Sequence, residues 1–213
     1  MKKPQVFLIR IKDNPVSMWE SGRSYQTWRS AGYNVALFDA ITPKTYLDSE
    51  IKLTFKKHWR GREFTETEKA VFYSHLSVLS LARRKSGPSI VIEHDAHLVK
   101  DLDLKKMEKE DIDVAALGMC VRGNNKYQVP CLAYFINPAL AGFFYDDMQM
   151  KDITKNIDGY FSEFIASYGK GLREEYSEHV LACEEFRYEL GTTIDHGNDK
   201  HLPNMFHENM FDT

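Results

Sequence analysis

Three adjacent side chains that can bind protons or cations, Glu93, His94 and Asp95, follow directly on the apolar residues 89–92. A short apolar run after the Gly87-Pro88 breaker predicts a central strand of a sheet. If the strand continues, alternation puts Glu93 and Asp95 on one side. Carboxylates at the carboxyl end of a strand are suited to a divalent cation and, through it, to phosphate. The alternative is an ordinary strand end, where acidic residues favour turns.

The segments before this strand predict a β-α-β unit. Residues 5–11 form an apolar strand, residues 17–30 an amphipathic helix that ends near Gly32, and residues 33–38 a second strand. The crossover is expected to be right-handed. Neither a Gly-x-Gly-x-x-Gly motif nor a Gly-Lys-Ser/Thr motif follows the first strand, so the dinucleotide and P-loop fingerprints are absent.

A second helix is predicted after Thr65, because Thr65 and Glu68 form a capping box. His75 falls on or beside its apolar stripe, so it is either a hydrogen-bonded core residue or a residue that lines a site. The preceding residues 44–63 predict an irregular connection with a basic cluster at residues 56–62. That cluster could contact a diphosphate or an anionic acceptor, but a solvated loop is the simpler interpretation.

Later segments complete an α/β pattern. Residues 113–118 and 131–136 predict two strands, Asn137-Pro138 begins a helix, and residues 174–190 predict a further helix. We expect one domain over residues 1–213, with a mostly parallel central sheet flanked by helices.

Composition limits the classes of function. The chain has 213 residues, 43% of them apolar, and its net charge of −3 without a block of lysines or arginines argues against a dominant electrostatic attraction to nucleic acid or anionic membrane. Neither a signal-peptide core nor a long apolar span is seen, so we expect a cytoplasmic protein without a transmembrane segment. The widely spaced Cys120, Cys131 and Cys183 are expected to be buried thiols.

The order of motifs resembles glycosyltransferase family 25, which includes lipopolysaccharide-biosynthesis and collagen galactosyltransferases. The resemblance covers most of the chain. Its anchors are residues 6–10, 38–41, 65–68, Ser74-His75, residues 92–96, residues 133–136 and Asp158. This chain has His94 where the family has an acid, and Val71-Phe72-Tyr73 where the family has Gly-Cys before the Ser-His pair.

The resemblance implies a GT-A type fold, a UDP-hexose donor (galactose or glucose), a glycan or other hydroxyl acceptor, and Mn²⁺ or Mg²⁺ at the diphosphate. Under this implication Asp95 and Glu93 bind the metal, and His196, next to Asp195, completes its shell. Asp158 is the base of an inverting reaction, or alternatively the N-cap of the helix that follows it. The donor-binding residues would be Arg10, Ala40, Glu66, Lys69, His75 and Glu93.

Two other interpretations remain open. The chain could be a catalytically degenerate GT-A-like domain that binds a sugar or a partner, as His94 and the altered segment before His75 would allow. A metal-dependent phosphoesterase is less well supported, because no second cluster of acids and histidines provides a two-metal site.

Overall fold

A computed structural model describes residues 2–122, 125–128, 131–168 and 180–183. The strands are β1 (Gln5–Arg10), β2 (Asn34–Asp39), β3 (Thr54–Phe55), β4 (Ser89–Glu93), β5 (His97–Leu98), β6 (Val114–Ala116), β7 (Gly118–Arg122), β8 (Asn125–Gln128), β9 (Ala133–Ile136), β10 (Asp152–Ile153) and β11 (Val180–Cys183). The helices are α1 (Pro15–Ser30), α2 (Glu66–Ala82), α3 (Leu104–Lys109), α4 (Pro138–Met150) and α5 (Ile157–Tyr168), with a 3₁₀ turn at Tyr46–Asp48.

The central sheet has five strands in the order β2-β1-β4-β9-β6. The β1·β2 and β1·β4 ladders are parallel, whereas β9 pairs antiparallel with both β4 and β6. The sheet is therefore mixed, and the expectation of a mostly parallel sheet is not confirmed. The physical reason is the connection from β6 to β9, which runs through the β7·β8 hairpin and has no helix among its described residues to return the chain for parallel pairing.

Two apolar clusters cover the two faces of this sheet. Along β1, Phe7 and Ile9 pack towards α2, α4 and α5, while Val6 and Leu8 pack towards α1 and α3. Val91 of β4 belongs to the first cluster, and alternation puts Glu93 on that same face, towards α2. The alternation of side chains along β4 therefore directs the Glu93 carboxylate towards α2.

The predicted helix starts after Thr65 and at Asn137-Pro138 are confirmed, whereas α1 begins at Pro15, two residues before the predicted residue 17. Asn14 and Asn137 accept hydrogen bonds from the third residue after each of them, with proline at the first helical position of α1 and α4. In α2, Thr65 Oγ1 accepts from the Glu68 N–H, and the Glu68 carboxylate accepts from the Thr65 N–H. This reciprocal capping fixes the first turn of α2.

Two local expectations are corrected. β4 ends at Glu93, and a turn closed by the hydrogen bond from Ala96 N to Glu93 O (3.1 Å) follows, so strand alternation does not extend to Asp95. Val180–Cys183 is a strand rather than part of a helix, because it pairs with the main chain of β7. Periodicity alone does not show whether a short apolar run is a strand or part of a buried helix. The rest of residues 174–190, and Asp195 and His196, lie outside the described residues.

Cys131 is a buried free thiol, as expected. Within the described part of the chain, every helix is too short or too polar to cross a bilayer.

Candidate active site

A cavity of about 260 Å³ opens where the carboxyl ends of β1, β2 and β4 meet the first three turns of α2. Its walls are Ile9, Ile11, Asn14, Ala40, Ile41, Thr42, Pro43, Thr67, Ala70, Val71, Ser74, His75, Glu93 and His94. Most of these side chains are apolar or small, and only a few polar groups converge at the end formed by His75 and Glu93. An apolar cavity with few polar groups is the usual form of a small-molecule site.

Ser74 fixes the wall of the cavity between β2 and α2. Its Oγ accepts a hydrogen bond from Ile41 N (2.9 Å) and lies 3.1 Å from Ile41 O and 2.9 Å from Ala70 O, to either of which it can donate. Ser74 is buried, so these bonds hold the chain after β2 against the helix. Ala40, which the sequence assigned to the donor, is positioned by this contact.

His75 joins Glu93 to Tyr134 inside the protein. His75 Nε2 lies 3.3 Å from Glu93 Oε1, and His75 Nδ1 lies 3.1 Å from the Tyr134 hydroxyl. An ionised carboxylate only accepts hydrogen bonds, so a neutral His75 ring that donates to Glu93 from Nε2 accepts from the Tyr134 hydroxyl at Nδ1. The Glu93 side chain is 15% exposed, and it forms the solvent-facing end of this chain of hydrogen bonds.

Asp158 lies in the first turn of α5 and closes the other side of this polar cluster. Its Oδ1 accepts a hydrogen bond from Cys131 N at 3.2 Å. Burial, together with the negative charge of Glu93, raises the pKa of Asp158 above the ordinary range of an aspartate. Burial also raises the pKa of the Cys131 thiol and of Tyr134, so both stay neutral. The strand-end cluster is the name used below for His75, Glu93, Cys131, Tyr134 and Asp158.

The N-cap alternative for Asp158 is wrong. Asn156 precedes α5, and its Oδ1 accepts from Gly159 N at 3.2 Å, so Asn156 provides the cap. Asp158 is the second residue of the helix and directs its carboxylate to Cys131. Because Asn156 provides the cap, the proposed role of Asp158 as a base does not compete with capping.

The remaining predicted donor residues lie outside the cavity walls. Arg10 pairs with Asp39 (Nε to Oδ1, 2.8 Å) at the shared ends of β1 and β2. Glu66 pairs with Lys69 at 2.7 Å and accepts from the Tyr46 hydroxyl on the exposed side of α2. The structure thus brings Ala40, His75 and Glu93 together at the cavity. It places Arg10, Glu66 and Lys69 outside the cavity walls.

The metal expectation rests on Asp95, Glu93 and His196. Asp95 is in the turn after β4 and Glu93 is in the strand-end cluster, while His196 falls outside the described residues. Among residues that the structure describes, no three His, Cys, Asp or Glu side chains converge closely enough to enclose a cation. One or two carboxylates nevertheless fit an ion that takes its other ligands from water and substrate phosphates, as Mg²⁺ does.

Sequence reasoning missed Tyr134, Cys131 and Ser74 as members of the site. Ser74 could have been found, because it is a polar residue beside His75 on an apolar helix face. Tyr134 lies in the family anchor at residues 133–136, but it and Cys131 occur in an apolar segment that predicts a buried strand, so neither was assigned to the site.

A cavity at the carboxyl ends of strands in an α/β sheet, with a few convergent polar groups, is the place where such folds bind small ligands. A family model described as glycosyltransferase family 25 (LPS biosynthesis protein) matches residues 23–169. The chain belongs to glycosyltransferase family 25, and the matched residues include α2, β4, β9 and Asp158.

Among solved structures, the fold is similar to the "crystal structure of a glycosyltransferase involved in the glycosylation of the major capsid of PBCV-1". The sequences are 7% identical, the TM-score is 0.38, and the match covers 68% of this chain and 66% of that chain. No curated protein matches the sequence.

Proposed function

We propose that this chain is a GT-A type, metal-dependent, inverting hexosyltransferase that moves galactose or glucose from a UDP-sugar to a hydroxyl of a glycan or another acceptor. The observation that carries the proposal is the cavity at the ends of β1, β2 and β4, with Glu93 and His75 at its polar end, in a member of a glycosyltransferase family.

The donor nucleotide would occupy the apolar cavity. Ile9, Ala40 and Val71 offer apolar surface to a base, and Glu93 can accept a hydrogen bond from a ribose hydroxyl. His75 and Tyr134 hold the Glu93 carboxylate in place before the donor arrives. A preoriented acceptor loses less freedom on binding, which favours affinity.

Mn²⁺ or Mg²⁺ would be held by Asp95, with Glu93 as a second ligand or a contact to the ribose. A bound divalent ion supplies neutralisation of the charge that develops on a diphosphate leaving group. Arg10, Glu66 and Lys69 would act at the edge of the donor site, where each now has a charged partner.

Asp158 would be the base. Transfer with inversion forms a bond from the acceptor oxygen to the sugar C1 and breaks the bond from C1 to the phosphate oxygen, so UDP leaves and the acceptor proton passes to a carboxylate. The raised pKa of Asp158 makes its carboxylate a stronger base than an exposed aspartate.

The test is calorimetry with UDP, UDP-galactose and UDP-glucose, with and without Mn²⁺, followed by an assay for released UDP. We expect binding that Mn²⁺ strengthens and donor turnover that Asp95→Asn abolishes in a protein that still folds. Absence of binding to every nucleotide sugar under both conditions contradicts the proposal.

The second candidate is a degenerate GT-A-like domain that binds a donor or a sugar without transfer. It is favoured by His94, which occupies the place of a family acid and is 6% exposed. Tight donor binding without transfer or donor hydrolysis over a broad panel of acceptors would support this candidate. Release of free UDP would exclude it.

A further inference from the structure

The turn at residues 56–62 presents cations and an aromatic ring to solvent. This segment is called the basic turn below. Lys56, Lys57 and Arg60 are exposed, and none of the three has an acidic partner among the residues described here. Trp59 is 62% exposed, and the Arg60 guanidinium lies 4.9 Å from the centroid of its ring. The turn therefore combines an open aromatic face with positive charge.

The conformation of the basic turn is fixed by its own hydrogen bonds. His58 N donates to Arg62 O at 2.8 Å, and Gly61 N donates to His58 O at 2.7 Å. Gly61 has a φ of +79°, which a residue with a side chain rarely adopts. His58 is 4% exposed and packs edge-on against Phe64. Trp59 is thus held in solvent by a defined backbone.

The basic turn is attached to both elements that carry the candidate site. Lys56 N donates to Ile153 O at 2.9 Å and Trp59 N donates to Thr154 O at 2.7 Å, just before α5 and Asp158. On the other side, Arg62 Nη1 donates to Glu68 Oε2 at 2.7 Å. Glu68 is the neighbour of Thr67, which lines the cavity.

We propose that the basic turn binds the acceptor and that the acceptor is an anionic saccharide. Trp59 stacks on the apolar face of a sugar ring, and Lys57 and Arg60 bind a carboxylate or phosphate on the same or the next ring. The attachment to the segment before α5 puts this ligand on the side of Asp158. The identification of this saccharide as the acceptor rests on the proposed function, whereas the saccharide-binding site itself does not require that function.

The test uses two matched pairs of probes that differ only in charge. The first pair is trigalacturonate and its methyl ester, and the second is a trimannoside with and without a terminal 6-phosphate. Binding is followed by the indole N–H resonances of ¹⁵N-labelled protein, with Trp59 assigned by Trp59→Ala. We expect at least one anionic probe to shift the Trp59 resonance saturably and to bind about tenfold more tightly than its neutral partner.

The variant is Lys57→Glu with Arg60→Glu, and its control is Arg84→Glu with Lys105→Glu. Arg84 and Lys105 are exposed cations beyond the far end of α2 and in α3, so the control changes the net charge equally. We expect the first variant to weaken the anionic probe about tenfold and the control to change it less than about twofold. UDP affinity, measured in the same samples, should stay unchanged in both.

The inference is overturned if no anionic probe is preferred over its neutral partner, if the Trp59 resonance does not move, or if both double variants weaken binding equally. A preference for the anion within the galacturonate pair indicates that the site binds a carboxylate, and a preference within the mannoside pair indicates that it binds a phosphate. Failure of the wild-type protein to bind UDP, with charge-dependent saccharide binding intact, counts against the proposed function and leaves the basic turn as a saccharide site.

Discussion

The Tyr134 hydroxyl and His75 Nδ1 form a hydrogen bond of 3.1 Å, from the antiparallel strand β9 to the helix α2, and both side chains are almost completely buried. The contact fixes the orientation of the His75 ring, and the ring in turn contacts Glu93 through Nε2. A residue with no exposed atoms thereby controls a carboxylate that faces the cavity.

Tyr134→Phe should weaken donor binding, although Tyr134 is not one of the residues that line the cavity. It leaves His75 Nδ1 buried without its donor, which costs about 1–3 kcal/mol of unfolding free energy. Chemical denaturation and UDP calorimetry measure the two effects. Tyr145→Phe is the control, because the described residues provide no hydrogen bond to the Tyr145 hydroxyl. Equal UDP affinities in the two variants would contradict the positioning role of Tyr134.

Asp158→Asn should abolish transfer while leaving donor binding intact. The variant keeps the side-chain oxygen that accepts from Cys131 N but cannot take a proton from an acceptor. In the wild-type enzyme the pKa of Asp158 is raised, so kcat/KM should fall with decreasing pH at a higher pH than the ordinary aspartate value of about 4. Unchanged turnover in Asp158→Asn would remove it from the reaction.

Glu68→Gln should destabilise the protein at neutral pH and much less in acid. Hydrogen bonds from Arg62 and from the capping box lower the pKa of Glu68 to about 2. A lowered carboxyl pKa adds stability that is present above the unfolded value, about 4, and is lost as the pH falls through about 2. We expect a loss of about 1 kcal/mol at pH 7 in urea unfolding. A loss of the same size at pH 2 would contradict this account.

Gly118→Ala should destabilise the start of β7. A Cβ at this position would lie 2.8 Å from Leu132 Cβ and 3.0 Å from Ala133 N, so the backbone of one strand must shift. We expect a cost of about 1–3 kcal/mol in thermal or urea unfolding.

Gly22→Ala is the matched control for Gly118→Ala. A Cβ at Gly22 meets no atom within 4 Å, and the residue lies inside α1. This variant should therefore gain about 0.5–1 kcal/mol from helix propensity. Equal effects of the two substitutions would show that crowding at Gly118 is absent.

Ser74→Ala should increase the KM for the donor more than it lowers kcat. The substitution removes the hydroxyl that holds the main chain of Ile41, so the wall next to Ala40 loosens. Steady-state kinetics with a UDP-sugar measures the two constants, and Ser74→Thr, which restores a hydroxyl, should recover part of the loss. A lowered kcat with an unchanged KM would place Ser74 in the chemical step instead.

The sequence by itself determined the local elements of this protein. Thr65 and Asn137 mark the starts of α2 and α4, and the apolar run before Glu93 marks β4, because capping and hydrophobic periodicity act between residues close in the chain. The ordered motifs also indicated the family, which the matching family model confirms.

Only the tertiary structure decided the direction of β9 and the composition of the strand-end cluster. Tyr134 and Cys131 reach His75 and Asp158 because β9 enters the sheet antiparallel beside β4, a pairing between distant segments that no local pattern encodes. The position of the Asp158 carboxylate was decided in the same way, since Asn156 supplies the cap of α5 and Asp158 accepts a hydrogen bond from Cys131 N, just before β9. Burial raises the pKa of Asp158, because desolvation depends on all the groups packed around a carboxylate, most of which are distant in the sequence.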